Sequence, residues 1–196
     1  MRPSRRAVAL GVGALLLAVG PSAYLGLAAR GFPPDTTPEG AYLRVVLAVN
    51  DDKLQAAFAY LETEAQWAVF SALEYERKMA ELVAGSYPEP ERARLLAELD
   101  DARAATGGPD YFARLARRLG FTARLRRDLS GILRVEIVGE RATVETARGT
   151  RYALRRRENG IWGLTMFTAE LRARAERASR DVVVVERAAA DYRAAR

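Results

Sequence analysis

Apolar side chains recur every three to four positions through the first part of the chain that follows residue 37. This spacing is typical of helices that bury one face. Thr36 and Thr37 precede it, and either threonine can cap the first helix, which carries Pro38 and Glu39 in its first turn. The pattern predicts five helices, over about 38–49, 52–61, 64–84, 89–105 and 109–120.

The spacing changes to strict alternation in the second part of the chain. Leu133, Val135 and Ile137 alternate with Arg134 and Glu136, as in a strand with one buried face. Turn signals that contain glycine separate four such segments, over about 132–138, 142–146, 152–155 and 161–167. The sequence therefore predicts an antiparallel sheet with one apolar and one arginine-rich face, and helices must cover the apolar face.

A long helix is predicted at the carboxyl end, over 169–196, because its apolar side chains fall near one face. Thr168 can cap this helix. The weak point is the run from Val182 to Val185, since four consecutive β-branched residues lower helix propensity. A short strand within this run is the alternative.

An uncharged apolar segment at residues 7–29 is bracketed by the arginines at positions 2, 5, 6 and 30. As a helix, its 23 residues would span about 34 Å, enough to cross a hydrocarbon core of roughly 30 Å. The arginines that precede it favour a cytoplasmic amino end. We therefore expect residues 1–30 to be a signal peptide or transmembrane anchor, with the rest of the chain on the extracytoplasmic side of the cell envelope.

Retention and cleavage of this segment both remain open. Its length favours a retained anchor, because the apolar middle of a cleaved signal usually has about 7–15 residues. Pro21 interrupts the segment, however, and small residues near Ala23 or Ala28 suit cleavage and secretion. A buried helix of a soluble protein is a third alternative. The chain contains no cysteine, so a lipid-modified cysteine and a disulfide are both excluded.

The exported part is long enough for one domain with its own core. Residues 31–35 include two consecutive prolines and predict a short extended stalk. An α+β domain is expected over 36–168, followed by the carboxyl-terminal helix over 169–196. The net charge of the whole chain is +6, but the arginines of the first 30 residues supply most of it, so the charge gives little reason to expect nucleic-acid binding.

Several short motifs carry a resemblance to a known family. They are Thr-Pro-Glu-Gly at 37–40, and Tyr152-x-Leu154 followed by Glu-Asn-Gly-Ile-Trp at 158–162. With the order of helices before strands, they resemble the nuclear-transport-factor-2-like superfamily, in particular its exported bacterial branch of uncharacterised membrane-anchored or lipid-anchored domains. The resemblance covers about 36–168. It implies a curved sheet wrapped around helices, a cone whose interior is either an open pocket or a filled core.

The chain departs from that family in its elongated helical section at 85–120 and in its long last helix. Some members are enzymes, and ketosteroid isomerase uses an aspartate base with a tyrosine and a protonated aspartic acid as hydrogen-bond donors. No such set can be transferred here, because the carboxylates of the predicted sheet fall at outward or turn positions. These carboxylates are Glu136, Glu140, Glu145 and Glu158.

Absence of histidine and cysteine removes the commonest general base, the thiolate nucleophile and the commonest soft-metal ligands. Asp51, Asp52, Glu62 and Glu64 lie at predicted helix junctions, where capping is the simplest role. We therefore expect a protein that is not an enzyme, with no catalytic residue, no metal and no cofactor.

Aromatic side chains are the remaining candidates for a binding site. Tyr60 and Trp67 lie seven positions apart in the helical part, and Tyr152 and Trp162 lie in the predicted sheet. These four residues can line a pocket for an apolar ligand. The simpler interpretation is that they fill the core, because aromatic residues at helical or alternating spacing are ordinary packing residues.

An arginine-rich run between residues 114 and 127 can bind nucleic acid, anionic lipid headgroups or an acidic partner, or it can pair with acidic residues at 89–101. The function expected from the sequence is a non-catalytic, membrane-tethered domain that contacts the membrane through 7–29 and binds a protein partner or envelope component. The alternative is a small-molecule binder or a weak carboxylate-dependent enzyme of the same fold. The oligomeric state is left open.

Overall fold

Eight helices and a four-stranded sheet make up residues 31–195, the part of the chain that the computed structural model describes. The predicted signal or anchor at 1–30 lies outside these residues. The helices are α1 (Pro38–Asn50), α2 (Leu54–Ala57), α3 (Thr63–Ser86), α4 (Glu91–Glu98), α5 (Asp100–Ala104), α6 (Gly108–Arg118), α7 (Phe121–Asp128) and α8 (Thr168–Ala194). The strands are β1 (Ile132–Val138), β2 (Arg141–Thr146), β3 (Arg151–Arg156) and β4 (Trp162–Leu164).

The α+β class and the order of elements agree with the sequence prediction. Thr37 is the residue that caps α1, since its side chain accepts a hydrogen bond of 3.1 Å from Gly40 N–H. The predicted fourth helix is divided at Leu99 into α4 and α5. Helix α7 was not predicted as a separate element, and it begins after Gly120, whose φ of 73° places it in the left-handed region.

The four strands form an open antiparallel sheet in the order β1-β2-β3-β4. Its inner face carries Val144, Tyr152 and Leu154, all buried. In β1 the expected alternation is broken, because the register with β2 shifts between Ile132 and Arg134. This bulge leaves Leu133 exposed, although the sequence pattern placed it on the buried face.

The carboxyl-terminal helix is continuous, and residues 182–185 are helical. Val182 packs with Met79 and Ala178 in a small buried cluster, so tertiary contacts outweigh the low helix propensity of the valine run. The predicted helix is therefore present, and the short strand that was its alternative does not form there.

Helices α3 and α8 pack side by side and run parallel. Near their amino ends Glu64 forms an ion pair of 3.6 Å with Arg172, and further along Lys78 forms one of 2.5 Å with Glu186. The first half of the pair belongs to the main core, which also includes α1, α2, α6, α7 and the sheet. The second half extends beyond the sheet, is covered by α4, and has its own buried clusters.

Candidate binding site between helices α3 and α8

A cleft of about 430 Å³ opens between α3 and α8 near their amino ends. Trp67 lies at this cleft with 68% of its surface exposed. Small side chains at Ala68 and Ser71 on α3 and at Ala175 on α8 leave the space open, and charged side chains flank it. The lining residues are Glu64, Trp67, Ala68, Ser71, Arg172, Ala175 and Glu176.

Trp67 projects outward because the buried face of α3 is formed by other positions, including Ala65, Ala68 and Val69. One turn further along, Phe70 is 49% exposed and packs edge-on against Phe58, with ring centroids 5.5 Å apart. Two aromatic side chains at i and i+3 therefore share one exposed side of α3. An exposed tryptophan beside a cleft is a typical feature of a recognition surface.

Charged side chains connect the cleft to the sheet. Arg155 of β3 lies 3.2 Å from Glu64 Oε1, and Arg172 of α8 lies 3.6 Å from Glu64 Oε2. The same Arg155 lies 3.7 Å from Glu62, which is buried and accepts a hydrogen bond from the Thr168 hydroxyl. These contacts fix the starts of α3 and α8 relative to β3.

Close backbone packing reinforces this corner. Leu61 forms a parallel bridge with Leu164 of β4, and Glu62 N–H donates a 3.0 Å hydrogen bond to the Leu164 carbonyl. The neighbouring Gly163 approaches so closely that a Cβ placed on it would lie 2.6 Å from Glu62 Cα. A glycine is therefore required for β4 to reach this position, and the cleft is built on a rigid support.

The structure separates the four aromatic residues predicted to line one pocket. Trp67 lines the cleft, whereas Tyr152 and Trp162 lie in the main core. Tyr152 packs on another core tyrosine, and the Trp162 indole N–H donates to the Thr36 carbonyl at 3.1 Å. Tyr60 is partly buried, and its hydroxyl donates to Asp35 at 3.3 Å. Of these four aromatic residues, Trp67 alone belongs to the described residues that line the cleft.

A second cluster of polar side chains lies buried between α3, α6 and α8. Arg174 Nη2 lies 2.7 Å from Glu76 Oε1, and Arg174 Nε donates to the Tyr111 hydroxyl at 3.0 Å. Glu76 and Tyr111 are buried. Burial raises the pKa of Glu76, and the positive charge of Arg174 opposes that shift. Burial also raises the pKa of Tyr111, with a further contribution from the Glu76 charge.

This cluster joins three helices through two buried side chains and the partly buried Arg174. Sequence reasoning missed it, although the sequence contained a signal. Glu76 lies on the face of α3 that also carries Leu73, Met79 and Val83, so an acidic residue at this position indicates a buried and paired charge. Arg174 could be identified as its partner only once α8 was seen to run alongside α3.

The arginines of α6 and α7 are all engaged by nearby carboxylates. Arg118 pairs with Asp101, which lies in the acidic section from which the sequence drew its expected partners. The others pair elsewhere, and Asp52 alone receives two of them. These pairs are Arg114–Asp110, Arg117–Asp52, Arg124–Glu170, Arg126–Asp52 and Arg127–Asp128.

Within residues 31–195, no group of acidic side chains is arranged to hold a metal ion. Over the same residues, no helix combines the length and the apolar character needed to cross a bilayer. Comparison of the chain with protein-family models, curated proteins and solved structures finds no match. The resemblance to the nuclear-transport-factor-2-like superfamily therefore stays a prediction.

Proposed function

We propose that this protein is a non-catalytic binding domain, tethered through residues 7–29 to the outer side of a membrane, that docks a protein partner at the α3–α8 cleft. The single observation that carries the proposal is the exposed Trp67 beside that cleft. Tryptophan and arginine are enriched among the residues that dominate binding energy in protein interfaces. Arg172 and Glu176 lie close to the indole and offer polar contacts of both signs at the rim.

The rigidity of the cleft supports this proposal. The carboxylate at Glu62 and the guanidinium at Arg155 hold the helix ends, and the backbone of β4 packs directly against the chain at Glu62. A preformed surface loses less conformational entropy when a partner binds. Glu76 is buried and paired with Arg174, which favours a structural role over general acid–base chemistry.

Photo-crosslinking in cells tests the docking site. A photoreactive amino acid at Ser71 of the full-length chain is expected to give one discrete adduct with a partner protein, and Trp67→Ala is expected to remove that adduct. Leu47→Ala is a matched control, because Leu47 is an exposed apolar residue on α1. The proposal is wrong if Ser71 gives no adduct, or if Trp67→Ala and Leu47→Ala have the same effect while both variants remain folded.

Membrane fractionation tests the tether separately. The full-length chain is expected to sediment with membranes, and deletion of residues 1–30 is expected to release the domain. Recovery of the intact chain, with residues 1–30 still attached, from the soluble fraction would contradict the proposed location. This result would leave the docking site open to its own test.

An apolar groove favours the second candidate function, the binding of a small apolar molecule. This groove has a volume of about 290 Å³ and lies between α3, α4 and α8. The apolar residues that line it include Met79, Val83, Leu95 and Leu99. Its volume lies at the lower limit of the range for ligand pockets. Native mass spectrometry of the purified full-length chain is expected to detect a bound molecule if this candidate is correct, and Leu99→Glu is expected to remove it.

A further inference from the structure

The outermost strand of the described sheet, β1, has unusual exposed apolar side chains. Leu133 is 70% exposed, Ile137 is 55% exposed and Val138 is 71% exposed. Strand β1 pairs with β2 on one side, and its other side forms an edge of the described sheet. Edge strands of stable monomers usually avoid such exposed apolar surface, since an edge with unpaired backbone groups can pair with another strand.

The hydrogen-bond pattern shows which backbone groups of β1 point away from β2. Arg156 N–H donates a 2.9 Å hydrogen bond to the carbonyl of Glu140, the residue before β2. The even-numbered positions of β2 therefore bond towards β3. Antiparallel bonding alternates along a strand, and the odd-numbered positions of β2 therefore bond towards β1. Val135 and Ile137 pair with even-numbered positions of β2, so their N–H and C=O groups point to the outer edge.

We propose that β1 pairs antiparallel with β1 of a second copy of this chain, about a two-fold axis at Val135. The sequence of β1 is self-complementary in this register. Arg134 lies opposite Glu136 of the second copy, and Glu136 lies opposite Arg134 of the second copy. Leu133 falls at the bulge of β1, so the regular pairing runs from Arg134 to Glu136 of each copy, with the exposed side chains of Leu133 and Ile137 beside it. The outward backbone groups of Val135 meet their counterparts at the axis, as this register requires.

The charges of the neighbouring strands favour the same occupant. In the structure Arg134 lies opposite Glu145 of β2, and Glu145 forms an ion pair of 3.6 Å with Arg151 of β3. Addition of the second copy places a carboxylate beside Arg134, which extends the alternation of positive and negative side chains in this row by one position. Within one chain the Arg134–Glu136 contact is long, at 3.9 Å, and both side chains are exposed. Both groups are therefore available for a cross-strand pair.

A slip of one residue would place backbone groups and side chains out of phase, so the proposed register is specific. The joined sheet would contain eight strands with β1 of each copy at its centre. Closure by a two-fold axis uses the same surface on both copies and leaves this edge covered.

Disulfide trapping tests the register directly, because the chain has no cysteine of its own. Full-length Arg134→Cys and Glu136→Cys chains with different tags are produced together and oxidised mildly. In the proposed register these two positions are directly opposite, at a Cα separation of about 4.5 Å that a disulfide can span. A tagged heterodimer linked by a disulfide is expected in the mixed population.

Each cysteine variant alone is the matched control. Two copies of Arg134→Cys place their cysteines on a diagonal of about 7–8 Å, beyond the usual reach of a disulfide, and the same holds for Glu136→Cys. Glu158→Cys in the β3–β4 turn measures random collision. Absence of the heterodimer, or equal trapping in the mixed and single populations, would overturn the proposal.

Charge reversal gives an independent measurement on the full-length chain. Glu136→Arg places like charges opposite each other twice per dimer, so sedimentation velocity is expected to show dimer association weakened about tenfold or more. Glu158→Arg makes the same change of charge away from the edge and is expected to leave association unchanged. A dimer that survives Glu136→Arg unchanged, or a protein that is monomeric before substitution, would contradict the proposal.

Discussion

At the scale of single residues, Gly163 has a consequence for the whole candidate site. A Cβ at this position would lie 2.6 Å from the backbone nitrogen of Glu62 and from the carbonyl oxygen of Leu61. Backbone atoms cannot rotate away as a flexible side chain can. The position of β4 against the start of α3 therefore depends on one missing methyl group.

Gly163→Ala is expected to destabilise the fold by about 1–3 kcal/mol, because the new methyl group overpacks a buried backbone contact. Chemical denaturation of the two proteins measures the change. Gly85→Ala is the control, since Gly85 lies in α3 with open space around it, and there alanine is expected to stabilise by about 0.5–1 kcal/mol. Equal effects at the two glycines would contradict the proposed close packing.

The raised pKa of Glu76 predicts a specific pH dependence of the folding stability. Its folded-state pKa is raised, mainly by burial, so the folded protein binds the proton more tightly than the unfolded chain. The stability linked to this proton is complete below the unfolded-state pKa and is lost as the pH rises through the raised folded-state pKa. We expect the stability advantage of the wild type over Glu76→Gln to shrink with rising pH over that window.

Urea denaturation at a series of pH values measures this difference between the two proteins. Other titrating groups affect both proteins alike and cancel in the comparison. Glu74→Gln, an exposed change two positions away on the same helix, is expected to show no such trend. A wild-type advantage that is constant or grows with pH would contradict a raised pKa for Glu76.

The sequence alone identified residue types that suit a binding site, but it did not show whether each side chain is buried or exposed. It selected Trp67 as an aromatic candidate, but the same reasoning grouped it with Tyr152 and Trp162, which are buried. Residue spacing shows which side chains share a face of one element, and it does not show which elements meet. The contact between Glu76 and Arg174 was out of reach for this reason, since 97 positions of intervening chain separate them.

At the scale of elements, α8 shows how packing decides between two local preferences. Val182 is buried against Met79 and Ala178, whereas Val183 is 53% exposed. The buried face of the valine run therefore stabilises the helix there. The β-branched side chains on the other face still oppose helix formation.

Substitution of these two neighbours by alanine is expected to have opposite effects. Val182→Ala removes buried methyl groups and is expected to destabilise by about 1–3 kcal/mol. Val183→Ala improves helix propensity at an exposed position and is expected to stabilise by about 0.5 kcal/mol. Thermal unfolding of both variants measures the signs. Destabilisation by Val183→Ala would show that the exposed face of the run makes contacts of its own.

The sequence predicted most elements because each carries a strong local period. It failed where a long-range contact changes that period. The bulge in β1 depends on the register with β2, and it turned Leu133 to the surface. The sequence prediction also missed the division of α4 from α5 at Leu99 and the separate helix α7, which begins after the left-handed Gly120.

At the scale of the whole molecule, the second half of the α3–α8 pair forms clusters separate from the main core. Val83, Tyr87 and Ala189 form the last of them, and Tyr87 packs against Tyr192 with ring centroids 4.9 Å apart. The Tyr192 hydroxyl donates to Glu91 at 3.0 Å, which ties α4 to the end of α8.

A chain that ends at residue 186 is expected to lose protection in α4 and at the end of α3, while the sheet keeps its protection. Removal of Ala189 and Tyr192 uncovers only the distant cluster. Hydrogen exchange followed by mass spectrometry measures the pattern, and a chain that ends at residue 192 serves as the control. A uniform loss of protection across the sheet would show that the two regions unfold together.

The parallel arrangement of α3 and α8 also constrains how the protein is made. The Tyr87 hydroxyl and the Val185 carbonyl meet although they are 98 positions apart, and the Thr168 hydroxyl reaches Glu62 across 106 positions. A ribosome releases α3 long before α8, so α3 emerges before the surface that buries its apolar face exists. During that interval the nascent chain exposes the apolar face of α3. Synthesis speed and chaperone access should therefore govern the yield of this protein more strongly than they govern that of a fold built from local contacts.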